Sequence, residues 1–227
     1  MTILVTGANG FISKAMCARF ITQDLAVRGT LRSPKMTSLC TDVIYTGELS
    51  PYTDWAEALQ GIQIIVHLAA RVHVMTEPDS DPLLAFRRMN VDTALNLARQ
   101  AASFGVKRFI FLSSIKVHGE STEPGNAFSA EDIPAPADPY STSKHEAEIA
   151  LMQLAKETSM EVVIIRPPLV YGPGVKANFA NMIRWLASGV PLPLGAITNN
   201  RRSLVALDNL VDLIITCIDH PAAANQI

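Results

Sequence analysis

The chain has 227 residues, a formal net charge of −2 and 48% hydrophobic residues. That is long and apolar enough for a sizeable core, which excludes a disordered chain. The charge offers no field for nucleic acid or an anionic membrane, and no apolar run approaches the length of a membrane span.

Ile3, Leu4 and Val5 read as a buried strand. Gly7 and Gly10 follow, and Phe11 and Ile12 open a helical pattern. Strand, glycine turn and helix in this order present bare backbone N–H groups and a helix N-terminus to an anionic pyrophosphate. Gly7 allows the tight turn, and Gly10 lets phosphate approach the backbone. Ser13 stands where the dinucleotide fingerprint has its third glycine. The strand starts at the N-terminus, leaving no room for a signal peptide. Cys17, Cys40 and Cys217 are scattered, without a Cys-x-x-Cys. A cytoplasmic protein with reduced, buried thiols is expected.

Phe11, Ala15, Ala18 and Ile21 predict one apolar face on the first helix. Residues 26–31 form the second strand, ended by Arg32-Ser33-Pro34. No acid stands at residues 30–33 to take the ribose hydroxyls of a dinucleotide. Arg32 suits a 2′-phosphate, which leans the choice between NAD and NADP towards NADP; the other reading is a solvated surface arginine. A short strand over 43–45 precedes Gly47-Glu48-Leu49, and residues 52–60 read as a helix. Residues 62–68, IQIIVHL, read as a strand covered on both faces. The run ends in Ala69-Ala70 at the strand's carboxyl end, where doubly wound sheets bind ligands. His67 within it reads as a core residue.

Asp81-Pro82 predicts an N-cap and first helical residue. The helix then carries Leu83, Phe86, Asn90, Ala94, Leu97 and Ala101 at steps of three and four. Asn90 on that stripe either bonds locally to backbone or contacts a cofactor. Residues 107–113 form a strand whose end sets the Ser113 and Ser114 hydroxyls in the crevice. The polar, proline-rich stretch 117–138 is of the kind that serves function. Asp138-Pro139 starts another helix, with Tyr140 and Lys144 four apart on one face. A strand over 162–165 runs into Arg166-Pro167-Pro168. A loop over 171–174, a helix over 179–187 and a last helix with Leu210, Leu213, Ile214 and Cys217 on one face complete the pattern. The alternation predicts an α/β, Rossmann-like doubly wound parallel sheet with helices on both faces.

TGANGFIS, Ser113-Ser114 and Tyr140-Ser-Thr-Ser-Lys144 occur in that order, joined by His67-Leu-Ala-Ala70, Met89-Asn90-Val91, Arg166-Pro167 and Tyr171-Gly-Pro-Gly174. Together they resemble the extended short-chain dehydrogenase/reductase family, in its nucleotide-sugar epimerase/dehydratase branch. The resemblance implies Tyr140 as acid/base, with Ser114 bonding the same substrate oxygen and Lys144 holding the nicotinamide ribose. A free tyrosine titrates near ~10, and Lys144 is expected to bring that value down. It further implies that Gly7, Asn9, Gly10, Phe11, Ile12, Arg32, Glu48, Leu49, Leu68, Ala69, Ala70, Asn90 and Pro167 bind the cofactor. Arg71, Asn178 and Arg202 would join Ser114 on the substrate, Arg202 being otherwise a surface charge beside Arg201. No metal is implied.

Two departures narrow the reaction. Ile115 and Lys116 stand where the branch's dehydratases have an acid pair, which disfavours dehydration. His118 replaces the tyrosine of the epimerases. The run resembles bacterial sugar 4-epimerases and 4-ketosugar reductases. The implied activity is thus epimerisation or reduction at C4 of a nucleotide-linked hexose. Rival readings are an NADPH reductase of small ketones or aldehydes, like dihydroflavonol reductases, and a non-catalytic dinucleotide-binding sensor. The implied partners are a nucleotide-sugar substrate and a second copy, pairing through helices near 82–104 and 140–158. The expected division is a dinucleotide-binding domain over 1–170 and the start of a small substrate-binding region over 171–227, with 203–219 packing back. Such a chain is expected to bind dinucleotide yet turn over sugar nucleotide poorly unless extended.

Overall fold

The computed structural model describes residues 1–72, 81–123, 125–175, 177–189, 191 and 200–227. Its main sheet has six strands: β1 (Thr2–Thr6), β2 (Ala26–Leu31), β3 (Asp42–Tyr45), β4 (Ile64–His67), β5 (Arg108–Leu112) and β6 (Glu161–Ile165). Two more, β7 (Leu169–Tyr171) and β8 (Leu204–Ala206), form a separate parallel pair. The helices are α1 (Phe11–Thr22), α2 (Ala56–Leu59), α3 (Pro82–Arg87), α4 (Thr93–Ser103), α5 (Pro139–Glu157), α6 (Ala177–Ala187) and α7 (Leu207–Asp219).

The main sheet runs β3-β2-β1-β4-β5-β6, all parallel. Successive side chains of a strand point to opposite faces, so apolar runs are needed where helices cover both. Ile3, Val5, Ile64, Val66, Ile110 and Val163 face one core with Met16, Phe20, Leu210 and Ile214. Leu4, Ile65, Phe109, Phe111, Val162 and Ile164 face the other with Leu97, Ala101 and Leu151. Each such buried Ile, Leu or Phe contributes about 1.5–3 kcal/mol. Thr6 lies opposite His67, and Leu112 opposite Ile165, so the strands' carboxyl ends line up. The strand order reverses between β1 and β4, which opens a crevice at that edge.

Several local readings shift. The buried stripe of α1 is Ser13, Met16, Cys17 and Phe20, while Ile21 is exposed. The helix expected over 52–60 is only α2, because Ser50 to Thr53 is a turn closed by Thr53 N–H to Ser50 O at 3.1 Å. On α7, Leu213 is exposed, and Leu207, Leu210, Val211, Ile214 and Ile218 make the buried face. Cys217 is half-buried, not core. A π-helical turn over Arg88–Asp92 joins α3 to α4. Beyond α7, Gln226 pairs with Val163 and its carbonyl accepts from Ile164 N–H at 2.9 Å, so the chain's last residues run beside β6. Among the described residues, no helix is long and apolar enough to cross a membrane.

Candidate active site

The turn after β1 is built for close approach. Gly7 has φ +64°, and a Cβ there would come within 3.2 Å of Ala69 Cα. Gly10 donates to Gly7 O at 2.9 Å and leads into α1. The first amides of that helix, on Phe11 and Ile12, have no helical acceptor, and they point where an anion can lie. Beside them the Thr6 hydroxyl accepts the N–H groups of Leu68 and Ala69, both at 3.1 Å. Its own hydrogen goes to His67 Nδ1 at 3.0 Å. His67 is therefore neutral, and burial pushes it down to about 3. It ties β1 to β4 and stacks on Phe111.

A cleft of about 1190 Å³ opens over this turn. Its walls include Gly7, Asn9, Gly10, Arg32, Glu48, Leu49, Leu68, Ala69, Ala70 and Arg71, so the structure brings together most of the residues expected to bind cofactor. A glycine cradle that a Cβ would fill, free helix amides and a long cleft fit a dinucleotide. Arg32 Nη1 meets Glu48 Oε1 at 3.4 Å, both side chains largely exposed. The carboxylate beside Arg32 thus comes from the segment after β3. Phe11 and Ile12 are half-buried at the start of α1. Arg202 is exposed just before β8 and does not line the cleft. The side chain of Asn178 lies outside the described residues.

Asn90 sits in the π turn, buried, with its amide fully used. Its Oδ1 accepts Arg71 N–H at 2.8 Å, and its Nδ2 donates to Arg71 O and Ser143 Oγ, both at 3.0 Å. It braces the cleft wall against α5 and does not reach into the cleft. The Arg71 guanidinium lies 5.6 Å over the Phe86 ring, and Phe86 meets Tyr140 edge-on at 6.1 Å.

The Ser114 hydroxyl lies beside the Tyr140 phenol and favours its ionised form. Lys144, one turn on, is buried and donates from Nζ to Leu112 O at 2.8 Å, 4.4 Å above the Phe111 ring. The expectation that Lys144 lowers the phenol's pKa is corrected here. Burial pushes Tyr140 up to about 12 despite the nearby Ser114 hydroxyl. Burial likewise pulls Lys144 down to about 7, against the nearby Glu148 charge. About half charged at neutral pH and tied to the Leu112 carbonyl, Lys144 does little for the phenol in the free protein. Pro167 O accepts Ile115 N–H at 3.0 Å and so fixes the turn that follows Ser114.

Two supports were not anticipated. Lys116 Nζ reaches Asp138 Oδ2 at 2.7 Å, joining the Ser114 turn to the start of α5. Asp138 also caps α5, accepting from Ser141 N–H at 2.6 Å within a capping box. Burial alone would raise the Asp138 carboxyl, but Lys116 and Ser141 hold it below the usual value. Its stabilisation is then present above the unfolded value near ~4 and is lost as pH falls through the folded one. Asp138→Ala should cost about 1–2 kcal/mol at neutral pH. The gap from wild type should close in acid, and chemical denaturation at several pH values checks this.

Deeper in, Glu148 is buried and accepts from Arg166 Nε at 3.0 Å and from Nη2 at 2.5 Å. Arg166 Nη1 also meets His118 Nε2 at 3.0 Å. Tyr140, Lys144 and Glu148 follow at steps of four, so the spacing already held the signal for Glu148. His118, buried against Phe128, is part of this support.

The profile of the NAD dependent epimerase/dehydratase family matches residues 3–227. The chain is 50% identical over 229 residues to a UDP-glucose 4-epimerase from Vibrio cholerae, spanning 100% of this chain and 69% of that protein. It is 26% identical over 254 residues to dihydroflavonol 4-reductase from Hordeum vulgare, spanning 97% of this chain and 68% of that one. The chain spans only 52% of some other relatives. A crystal structure of UDP-glucuronic acid 4-epimerase from Bacillus cereus, in complex with UDP-glucuronic acid and NAD, superposes with a TM-score of 0.82 at 23% identity. That match covers 100% of this chain and 76% of the other, and it shows the fold.

Proposed function

Because the chain belongs to the NAD dependent epimerase/dehydratase family, we propose that it inverts C4 of a nucleotide-linked hexose in the cytoplasm, using a nicotinamide dinucleotide. The observation that carries this reading is the buried Tyr140 phenol beside Ser114, one helical turn from buried Lys144 and linked through Phe86 to the cleft's Arg71 wall. A bound dinucleotide supplies the hydride acceptor and donor. Once dinucleotide binding brings the buried phenol down, Tyr140 takes the C4 hydroxyl proton and returns it, and Ser114 steadies the same oxygen. Lys144 holds the ribose hydroxyls, and Gly7, Gly10, Phe11 and Ile12 hold the pyrophosphate. The 50% identity to a UDP-glucose 4-epimerase favours epimerisation over net reduction. Incubation with UDP-glucose or UDP-N-acetylglucosamine should yield the C4 epimer with no net change in dinucleotide. Stoichiometric consumption of NADPH, with no epimer formed, would decide for a reductase.

For the cofactor we read NAD as the working form, because Glu48 occupies Arg32. A 2′-phosphate approaching Arg32 would meet the Glu48 carboxylate as a like charge. Arg32→Ala should weaken NADP by ~1.5–3 kcal/mol, the range for a charge-assisted hydrogen bond, and leave NAD almost untouched. Calorimetry with both dinucleotides checks it; an equal loss for the two would remove Arg32 from the discrimination.

A further inference from the structure

One pair of nucleophiles has no part in the chemistry above. Cys17 on α1 and Cys40 in the segment before β3 stand 23 positions apart, with their sulfurs 2.9 Å from one another. Both are buried, and no group lies between them. Gly29 of β2 leaves room for the contact: a Cβ there would come within 3.0 Å of Cys40 Sγ and 2.8 Å of Ala8 Cβ. Cys40 is the more accessible of the two and follows exposed Leu39. Its backbone N–H donates to Ser38 Oγ at 3.1 Å. The hydrogen bond from the Cys17 thiol holds Cys40 below an ordinary thiol, and the same bond with burial pushes Cys17 up. Cys40, the less buried sulfur, is the one an oxidant reaches first, with the Cys17 thiol in hydrogen-bond contact beside it.

We propose that Cys17 and Cys40 are an oxidation site, closing to a reversible disulfide when the protein meets a peroxide. The Cys40 thiolate attacks one oxygen of hydrogen peroxide. The O–O bond breaks, hydroxide leaves, and Cys40 becomes a sulfenic acid. The Cys17 sulfur then attacks the Cys40 sulfur. The S–S bond forms, the S–O bond breaks, and the oxygen leaves as water with the Cys17 proton. Two thiols and one peroxide give one disulfide and two waters. A disulfide needs its sulfurs at about 2.05 Å, so the travel required is under about 1 Å. The cross-link fastens the segment of Met36, which accepts a hydrogen bond from Asn9 of the glycine turn, to the helix that this turn opens. A thiol reductant reverses it.

The test is peroxide treatment of the native protein, followed by intact mass, peptide mapping and thermal unfolding. The expected mass falls by two hydrogens, and the map joins the Cys17 and Cys40 peptides. Unfolding shifts up by about 5 °C or more, as expected for closing a loop of this size, and dithiothreitol restores the starting values. Cys217→Ser should behave like wild type, whereas Cys40→Ala should show neither the mass loss nor the shift. The wild-type map is decisive by itself, should a core variant fold poorly. A map joining Cys217 would overturn the proposal. So would Cys40 carried to sulfinic acid with Cys17 still free, or a reaction seen only after denaturation.

Discussion

Tyr140→Phe should leave dinucleotide affinity nearly unchanged while lowering turnover by about 10² or more, the scale of lost general acid–base catalysis. The substitution removes one oxygen and keeps the ring that meets Phe86 edge-on. In the free protein the phenol is a proton donor at neutral pH, since burial pushes it up to about 12. An ultraviolet difference titration should therefore show one tyrosine of the free protein ionising well above the ordinary ~10, and Tyr140→Phe should abolish that component. The sign also fixes a stability effect. The folded state holds this proton where the unfolded state has released it, so stability falls as pH rises from about 10 towards 12. Undiminished turnover in Tyr140→Phe would remove the acid/base assignment, whatever the titration showed.

Arg166→Met should be the most destabilising single substitution around the site, costing about 3–5 kcal/mol. It strands the Glu148 carboxylate, which is 1% exposed and loses both of its guanidinium bonds. For a chain of this size the unfolding temperature should drop by roughly 2–4 °C per kcal/mol. Adding Glu148→Gln should recover a substantial part of the loss, because the uncompensated charge goes with it. A double variant no better than the single one would show that the cost is lost packing and not the stranded charge. The partnership also explains why a histidine is tolerated at position 118, since the arginine takes His118 as its third contact.

The order of strands and helices was legible because β1, β4, β5 and β6 are apolar runs and α1, α3 and α5 start at a glycine or a capping aspartate. Asp81-Pro82 and Asp138-Pro139 behave as read, with Leu84 and Ser141 N–H groups on the two carboxylates. Periodicity failed where residues are small. On α1 an alanine-rich face looked as apolar as the true one, yet Ser13 and Cys17 are buried and Ile21 is not. β7 was missed because its three residues lie between prolines and glycines and pair with a strand more than thirty positions away. At the site, the residue types were legible and their ionisation was not. Burial of Tyr140 and Lys144 is a property of the packed helix, and no local spacing reports it. The Arg32–Glu48 and Lys116–Asp138 pairs likewise join segments far apart in the chain.

The Thr6 hydroxyl has a consequence for how a ligand is loaded. By accepting the amides of Leu68 and Ala69, it silences two donors on the β4 side of the cleft. Of the backbone amides around this turn, those at the tip of α1 are left for an anion. A diphosphate seated there would set the position of both ends of the molecule before either is gripped. The cleft measures its ligand from the middle outward, like a ruler whose zero lies at its centre. Fragments without the diphosphate, such as adenosine or nicotinamide riboside, lose that zero and should occupy the cleft without a defined register.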